Sequence, residues 1–205
     1  PPPVTGTEPA GDAVLRVNEI FASLQGEGPS AGQPAVFLRL AGCNLACTWC
    51  DTAYAWDFAH HDRALESHPL PVAEVARRLL ATGERRLVLT GGEPLLQQAA
   101  LAALLGALPP DLLVEVETNG TLAPEAPLLA RVTRWVVSPK LASSGAPPAA
   151  RRREDVLRAF AATDRAWCKL VVAVEADLDE ADALVATVGW PRERVLLMPE
   201  ANDRA

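Results

Sequence analysis

Short apolar runs alternate with segments of helical periodicity along most of the chain, and this alternation limits the folds that the sequence can adopt. The runs that predict strands are Val17–Leu24, Val36–Leu40, Arg86–Thr90, Leu112–Glu117, Arg134–Val137, Trp167–Val174 and Val195–Met198. The segments that predict helices are Val72–Ala81, Leu95–Leu105, Pro124–Ala130, Glu154–Ala161 and Leu178–Val188. Strands separated by helices of this length form βαβ units, so the pattern predicts an α/β fold with a mostly parallel sheet.

Length and composition indicate one domain. The chain has 205 residues, of which 49% are hydrophobic and 22% charged, and this balance is sufficient for a sizeable core. No internal repeat or interior linker divides the sequence. The first residues, which begin Pro-Pro-Pro, contain neither a basic region nor an apolar stretch, so we interpret residues 1–13 as a disordered tail and not as a secretory signal. The predicted domain is 14–205.

Charge and cysteine content narrow the functional classes. The net charge of −7 argues against a nucleic-acid-binding surface, which would be basic. The run 151–153, Arg-Arg-Arg, is followed directly by Glu154 and Asp155, and predicts a solvated helix start in preference to a phosphate site. No apolar run is long enough to span a membrane. The clustering of the four cysteines indicates a metal in a reducing compartment, and so a cytoplasmic protein.

Glycine-rich or polar motifs follow five of the predicted strands. They are the cysteine loop Ala41–Cys50, Thr90-Gly91-Gly92-Glu93-Pro94, Glu117-Thr118-Asn119-Gly120-Thr121, Ser138-Pro139-Lys140 and Met198-Pro199-Glu200. Most of them, taken alone, are also compatible with an ordinary turn. Because chemistry in parallel α/β folds gathers at the carboxyl ends of the strands, we expect the five motifs together to build one rim.

The cysteine loop carries the most specific pattern. Cys43, Cys47 and Cys50 are spaced C-x3-C-x2-C, which supplies three thiolates and no obvious fourth. A structural zinc ion takes four ligands, and an ordinary four-iron cluster takes four cysteines. Three cysteines on one short loop would hold a four-iron cluster with one iron left open. That open iron would be a place to bind a substrate or a cofactor.

A zinc site is the alternative, and it would need a fourth ligand from elsewhere in the chain. Cys168, His60 and His61 are the candidates. Cys168 lies within an apolar strand run, so we expect it to be a packed core residue. The two histidines lie in a polar insertion after the cysteine loop, so we expect them to face solvent.

Three further side chains are candidates for ligand binding. Gln25 and Glu27 follow the first strand in the segment Gln-Gly-Glu-Gly, where an amide and a carboxylate can pair with the donor and acceptor edge of a pterin-like or guanine-like ring. A glycine-rich hairpin turn is the plainer interpretation. Arg39 lies within an apolar strand, where an unpaired charge is costly, so it requires a carboxylate either from a substrate or from the protein.

Two longer phrases resemble a known family. The phrase F-x-S-x-Q-G-E-G runs from Phe21 to Gly28, and F-L-R-L-x-G-C-N-L-x-C-x-W-C-D-T runs from Phe37 to Thr52. They resemble the radical S-adenosylmethionine (SAM) enzymes, and within these the 7-carboxy-7-deazaguanine synthases of 7-deazapurine (queuosine) biosynthesis. The resemblance covers most of the chain from about Leu15 to Glu200. It implies a partial (β/α)6 TIM-like barrel of the radical SAM type and a homodimer.

The resemblance also implies an activity. Enzymes of this family are lyases that convert 6-carboxy-5,6,7,8-tetrahydropterin to 7-carboxy-7-deazaguanine with release of ammonia. A flavodoxin-like donor would reduce a [4Fe–4S] cluster, and the 5′-deoxyadenosyl radical formed from SAM would take a hydrogen from the pterin before its ring contracts. Because the cluster and SAM carry this chemistry, no protein side chain is expected to be a catalytic residue.

Ligand sites follow from the same resemblance, residue by residue. The cluster would be held by Cys43, Cys47 and Cys50. Thr52 matches a position for Mg²⁺, an ion that prefers oxygen ligands and often binds through an anionic substrate group. The positions that match SAM contacts are Trp49, Gly92, Glu93, Ser138, Lys140 and Glu200. The positions that match substrate contacts are Leu24, Gln25, Gly26, Glu27, Arg39 and Thr90.

Two alternative functions stay open at this point. Another radical SAM enzyme, such as a glycyl-radical activase, also carries three cysteines at this spacing, although the Gln-Gly-Glu-Gly segment favours a small pterin substrate. A non-catalytic zinc-binding module would leave the strand-end motifs without a purpose. The sequence stops at Ala205, whereas members of the family usually continue into a segment that closes over the substrate, so contacts from that end are not assigned.

Overall fold

A computed structural model describes residues 13–200 as a β-sheet with helices packed on one side. The strands are β1 (Val14–Leu24), β2 (Pro34–Leu40), β3 (His68–Pro71), β4 (Arg86–Gly91), β5 (Leu113–Thr118), β6 (Arg134–Val137), β7 (Ala166–Val172) and β8 (Val195–Pro199). The helices are α1 (Arg63–Glu66), α2 (Val72–Ala81), α3 (Gln98–Ala107), α4 (Ala126–Arg131), α5 (Pro148–Arg151), α6 (Glu154–Ala161) and α7 (Ala176–Val188). Within this part of the chain, no helix is both long and apolar enough to cross a bilayer.

The strand order is β3-β1-β2-β4-β5-β6-β7-β8. From β2 through β8 every neighbouring pair is parallel, whereas β1 is antiparallel to both β2 and β3. Between residues 13 and 200 the two edge strands, β3 and β8, do not meet, so the sheet is an open barrel. The predicted α/β class and the partial barrel with six parallel strands are confirmed.

The core lies between the sheet and the helices. Strand side chains alternate between the two faces of a sheet. On the helix side, Leu38, Leu89 and Val137 are fully buried. Trp135 of β6 and Phe160 of α6 pack with their ring centres 5.3 Å apart. Burial of such side chains stabilises the fold by roughly 1.5–3 kcal/mol each.

The loop between β1 and β2 crosses the inner face of the sheet. The backbone N–H of Gln25 donates to the carbonyl of Gln33 at 2.9 Å, and that of Gly32 donates back to Gln25 at 2.8 Å. These bonds close the hairpin, and the short 3-10 turn Gly28–Ser30 lies within it. Ser30 is 1% exposed, so the loop fills the inside of the partial barrel below the carboxyl ends of the strands.

Several elements differ from the sequence predictions. Strand β3, His-Pro-Leu-Pro, was not predicted because its two prolines remove donors, which only an edge strand tolerates. The four-residue helices α1 and α5 are too short to show a period. The predicted helix from Leu95 begins instead as a 3-10 turn, Pro94–Gln97.

Two interpretations at the sequence level need correction. Arg151 is not solvated: it is 8% exposed and donates to Glu180 Oε1 at 2.6 Å and to the carbonyl of Lys140 at 2.9 Å. The interpretation as a helix start fits Arg153, which pairs with Asp155 at 3.1 Å. Residue 13, assigned to the disordered tail, accepts a hydrogen bond from the N–H of Val72 at 2.9 Å. The other positions of the predicted tail, and residues 201–205, lie outside the described residues.

Candidate active site

The carboxyl ends of the parallel strands surround one pocket of about 440 Å³. Each of the five strand-end motifs contributes to its lining, as the rim hypothesis expected. The predicted site residues that line it are Leu24, Gln25, Gly26, Glu27, Arg39, Cys43, Cys47, Trp49, Cys50, Thr52, Thr90, Gly92, Ser138, Lys140 and Glu200. Glu93 is the predicted residue that does not.

The three cysteines of the loop line one side of the pocket as free, half-buried thiols. Two receive hydrogen bonds from N–H groups: Cys50 Sγ from Trp56 Nε1 at 3.3 Å, and Cys43 Sγ from the backbone of Leu45 at 3.5 Å. Burial raises the pKa of Cys43 to about 11 and also raises the pKa of Cys47, which the nearby Lys140 partly offsets. A metal that binds these thiols must therefore displace their protons.

The three thiols agree in number with the ligands of a four-iron cluster that has one open iron. Among residues 13–200, no group of three or more His, Cys, Asp or Glu side chains converges closely enough to hold one metal ion. A four-iron cluster, by contrast, takes a thiolate at each of several corners. Three thiols that line the pocket, with N–H groups directed at two of the sulfurs, would hold a cluster of this kind.

The candidates for a fourth zinc ligand lie elsewhere. Cys168 is 1% exposed within the apolar core, where burial raises the pKa of its thiol to about 12. His60 and His61 are exposed, and His60 Nδ1 lies 2.7 Å from Asp57 Oδ2. The expectations of a core cysteine and two solvent-facing histidines are confirmed.

Gly92 fits against the cysteine loop because it has no side chain. A Cβ at this position would lie 2.2 Å from the carbonyl oxygen of Gly42 and 2.9 Å from Cys43 Cβ. The N–H of the next residue, Glu93, donates to that same carbonyl at 2.9 Å. The two strand-end motifs are therefore in direct backbone contact, which explains the glycine at 92.

Glu93 is fully buried behind this contact instead of lining the pocket. Its carboxylate accepts from the N–H of Asn119 at 2.7 Å, from the N–H of Leu95 at 2.9 Å, and from Thr118 Oγ1. Burial raises its pKa, and these donors oppose the shift. In this structure the side chain ties the Gly-Gly-Glu turn to the end of β5.

Asn44 anchors the cysteine loop to the same strand end. Its Nδ2 donates to Thr121 Oγ1 at 2.8 Å, and its Oδ1 accepts from Asn119 Nδ2 at 2.9 Å. On the other side of the loop, the N–H of Thr48 donates to the carbonyl of Ser144 at 2.9 Å. Sequence reasoning missed Asn44. The signal for it was an amide residue inside the C-x3-C spacing together with the Asn-Gly turn after β5.

Three of the residues predicted to face SAM lie close together in the lining of the pocket. Lys140 Nζ donates to Ser138 Oγ at 3.0 Å and lies 5.7 Å from the centre of the Trp49 ring. Burial lowers the pKa of Lys140, and the neighbouring cysteines oppose that shift. A cation over an aromatic face beside the cysteine loop can receive an anionic group such as a carboxylate.

The lining also contains carboxylates with their hydrogen-bond partners. Lys169 Nζ donates to Glu27 Oε1 at 2.5 Å, while Glu27 Oε2 is buried without a hydrogen-bond partner. Thr90 Oγ1 donates to Glu117 Oε2 at 2.7 Å. Lys169 was not predicted, although a lysine inside the apolar run of β7 gave the same signal as Arg39 in β2. Glu27 lines the pocket, so this buried, unpaired oxygen leaves an unused acceptor beside the site.

Arg39 is paired with a carboxylate of the protein. Its Nε donates to Glu19 Oε1 at 2.7 Å, and its guanidinium lies 5.8 Å from the centre of the Phe21 ring. Of the two alternatives open at the sequence level, the structure shows the protein ion pair, at the edge of the pocket. Thr52 Oγ1 also lines the pocket, 3.7 Å from Cys50 Sγ.

Comparison with known proteins agrees with this site. The Radical SAM superfamily model matches residues 38–164. A 7-carboxy-7-deazaguanine synthase of Pyrobaculum aerophilum is 42% identical, covering 92% of this chain and 81% of the relative. A 7-carboxy-7-deazaguanine synthase of Hyperthermus butylicus is 45% identical, covering 94% of this chain and 80% of the relative.

Solved structures agree as well. The crystal structure of QueE from Escherichia coli superposes with a TM-score of 0.68 at 27% identity, covering 94% of this chain and 86% of that one. Streptococcus suis SuiB, solved with its precursor peptide SuiA, shares the fold with a TM-score of 0.53 at 16% identity, over 78% of this chain and 37% of that one. The chain therefore belongs to the 7-carboxy-7-deazaguanine synthase family of radical SAM enzymes.

Proposed function

We propose that this chain converts 6-carboxy-5,6,7,8-tetrahydropterin to 7-carboxy-7-deazaguanine and ammonia. The observation that carries the proposal is that one pocket combines two kinds of lining. The same pocket is lined by the loop with Cys43, Cys47 and Cys50 and by acceptor groups suited to a nitrogen-rich ring. Relatives named for this product, of which the chain spans about four fifths, support the assignment.

The three cysteines would hold the [4Fe–4S] cluster of the superfamily, and the cluster with bound SAM supplies the radical that starts the reaction. The chain's own residues position and enclose the reactants. Lys140, Ser138 and Trp49 form a cationic and aromatic wall beside the cysteine loop, suited to a carboxylate of SAM. Gly92 and Glu200 also line the pocket. Glu93 does not, but its hydrogen bond from Asn119 would fix the Gly-Gly-Glu turn that carries Gly92.

Within the same pocket, Glu27 and Gln25 would form a wall that accepts N–H groups of the pterin, and Thr90 would fix the carboxylate of Glu117. Leu24 and Gly26 complete this wall. Arg39 would exchange or share its Glu19 contact with the substrate carboxylate, since a guanidinium binds two oxygens in a planar fork. Thr52 would give a hydroxyl to Mg²⁺, which a substrate carboxylate could then ligate.

The partners and location in the proposal come from the family alone. They are a flavodoxin-like electron donor, a homodimer and a cytoplasmic location. No side chain of the chain is proposed as a catalytic acid, base or nucleophile. The direct measurement of the assembly is sedimentation equilibrium of the reconstituted protein.

Anaerobic turnover tests the function. The protein is reconstituted with iron and sulfide, reduced, and incubated with SAM, Mg²⁺ and 6-carboxytetrahydropterin, and the product is identified by mass. Formation of 7-carboxy-7-deazaguanine is the expected result. Release of 5′-deoxyadenosine without the deazapurine would keep the radical SAM class and reject the substrate, in favour of another member such as an activase. A colourless protein that contains zinc would rule out the proposed enzymatic function.

Omission of Mg²⁺ tests the proposed ion site in the same assay. We expect the rate to fall without the ion, and Thr52→Ala to show a weaker response to added Mg²⁺ than the wild type. Thr187→Ala on the exposed side of α7 is the matched control, and it should respond to the ion as the wild type does.

A further inference from the structure

A chain of buried polar side chains runs across the inner face of the sheet below the pocket. Its members are Ser30, Glu115 and Gln25, which are 1%, 0% and 3% exposed. Glu115 does not line the pocket, and nothing in the proposed chemistry uses it. A carboxylate placed this deep costs free energy unless each of its oxygens is satisfied, so its contacts indicate what it does.

Gln25 is held at both its backbone and its side chain. The hairpin bonds to Gln33 and Gly32 fix the backbone. The side-chain Nε2 donates to Glu115 Oε1 at 3.0 Å and to Glu117 Oε1 at 2.9 Å. A primary amide nitrogen carries two hydrogens, so both of its donors are engaged within the protein.

The carbonyl end of Gln25 is what remains for a ligand. Its Oε1 accepts one long bond, at 3.4 Å, from the N–H of Glu27. The reversed amide would place this oxygen against the carboxylates of Glu115 and Glu117, which repel it. The two carboxylates therefore select one of the two amide orientations, and Gln25 offers the pocket an acceptor and no donor.

The other carboxylate oxygen of Glu115 contacts Ser30 and Arg134. Ser30 Oγ donates to Glu115 Oε2 at 2.5 Å, and the guanidinium of Arg134 lies 3.6 Å from the same oxygen. Arg134 and Arg86 both donate to Ser30 Oγ, which fills the lone pairs of the hydroxyl and directs its hydrogen to Glu115. The negative charge of Glu115 is thus neutralised on the side away from Gln25.

We propose that Glu115 is a positioning residue that holds the Gln25 amide in its acceptor orientation and so makes this point of the pocket selective for an N–H donor of the ligand. The proposal rests on the proposed function for the identity of that ligand, a pterin. It assigns Gln25 an accepting role alone, where the sequence left both donating and accepting open.

The variant Glu115→Gln tests the proposal. It keeps the shape of the side chain but removes the charge, so only Glu117 still opposes reversal of the Gln25 amide, and Gln25 presents a donor for part of the time. We expect the KM for the pterin to rise about tenfold to a hundredfold, the range for a hydrogen bond to a charged group, with a smaller change in kcat. Cluster content and KM for SAM should stay at wild-type values.

A double-mutant cycle separates positioning from a general structural effect. In a Gln25→Ala background, Glu115→Gln should change the KM for the pterin no further, since the side chain through which it acts is absent. Equal effects of Glu115→Gln in both backgrounds would overturn the proposal. The exposed Glu193→Gln is the matched control for loss of a carboxylate.

Two further measurements keep the proposal testable. If Glu115→Gln does not fold, Ser30→Ala removes the hydroxyl donor to Glu115 but leaves the carboxylate in place, and should raise the KM less than the change expected for Glu115→Gln, by about twofold to tenfold. NMR of the Gln25 side-chain NH₂, in the enzyme with an oxidised, diamagnetic cluster, tests the amide without turnover. Slow hydrogen exchange is expected in the wild type, and fast exchange would overturn the inference. Absence of deazapurine from the wild type would reject the proposed function separately.

Discussion

The two faces of the sheet carry different kinds of interaction, although they are built from alternate residues of the same strands. On the helix side of β4 and β5, Leu89 and Val116 are at most 1% exposed and pack among apolar side chains. On the inner side of the same strands, Thr90 and Glu117 are joined by a 2.7 Å hydrogen bond. One residue step along a strand therefore separates the apolar core from the lining of the pocket.

The difference lies in how directional the two interactions are. Apolar burial is roughly proportional to area and tolerates exchange between residues of similar volume. Hydrogen bonds between buried polar groups depend on distance and angle, and removal of one partner leaves the other unsatisfied. We expect substitutions on the helix side to change stability and those on the inner side to change function, and four experiments test this comparison.

The largest effect is expected at the cysteine loop. Cys47→Ala should abolish formation of 7-carboxy-7-deazaguanine, because one corner of the cluster loses its thiolate, while the circular dichroism of the chain should stay the same. The measurement is iron content and product mass after reconstitution. Cys168→Ala, on the helix side, is the control and should still bind iron. Full activity of the Cys47→Ala protein would rule out Cys47 as a ligand of the cluster.

Leu89→Ala tests the helix side. It should lower the free energy of unfolding by about 2–5 kcal/mol, the range for a leucine truncated within a packed core. Urea denaturation measures this, and the KM of the folded fraction should not change. A loss of substrate affinity without a loss of stability would contradict the division between the faces.

The buried thiol of Cys168 predicts a dependence of stability on pH. Burial raises its pKa from the ordinary value of 9.0 to about 12. The folded chain therefore keeps this proton after the unfolded chain has lost it, so the contribution to stability is present below pH 9 and falls as the pH rises toward 12. The slope should approach about 1.4 kcal/mol per pH unit.

Urea unfolding of the wild type and of Cys168→Ala between pH 9 and 10.5 measures this slope. Cys168→Ala should show a smaller pH slope of the free energy of unfolding, because it lacks the thiol. This holds whatever the stability of the variant at neutral pH. Identical slopes for the two proteins would show that the thiol is not buried as described.

Thr90→Val should give the smallest change in stability, about 1 kcal/mol, because it removes one hydrogen bond and keeps the side-chain volume. Its effect should instead appear in the KM for the pterin, since Glu117 loses the donor that orients it. Steady-state kinetics and urea denaturation of the same preparation provide the comparison with Leu89→Ala. An unchanged KM would place Thr90 outside substrate binding.

Local pattern was sufficient to predict much of this molecule. The predicted strands Val36–Leu40 and Arg134–Val137 are present, and the motifs that follow the strands meet at one pocket. These features depend on periodicity and on the geometry of parallel strands, both of which are visible in short windows.

Contacts between distant segments could not be predicted in the same way. The bonds of Glu115 to Gln25 and Ser30 join residues far apart in the sequence, and no local pattern marks a glutamate within β5 as buried. The burial of Arg151 likewise depends on its hydrogen bond to Glu180, a residue of α7. Such polar pairs could not be predicted because the assembled fold determines which charged groups are buried next to each other.

The bonds that fix the cysteine loop bear on how the protein acquires and repairs its cluster. Asn44 and Thr48 tie the loop to segments on both sides of it. A loop that is already ordered loses little conformational entropy when iron and sulfide arrive. The chain can therefore be loaded after it has folded, and a cluster destroyed by oxygen can be rebuilt in place, without unfolding the enzyme around it.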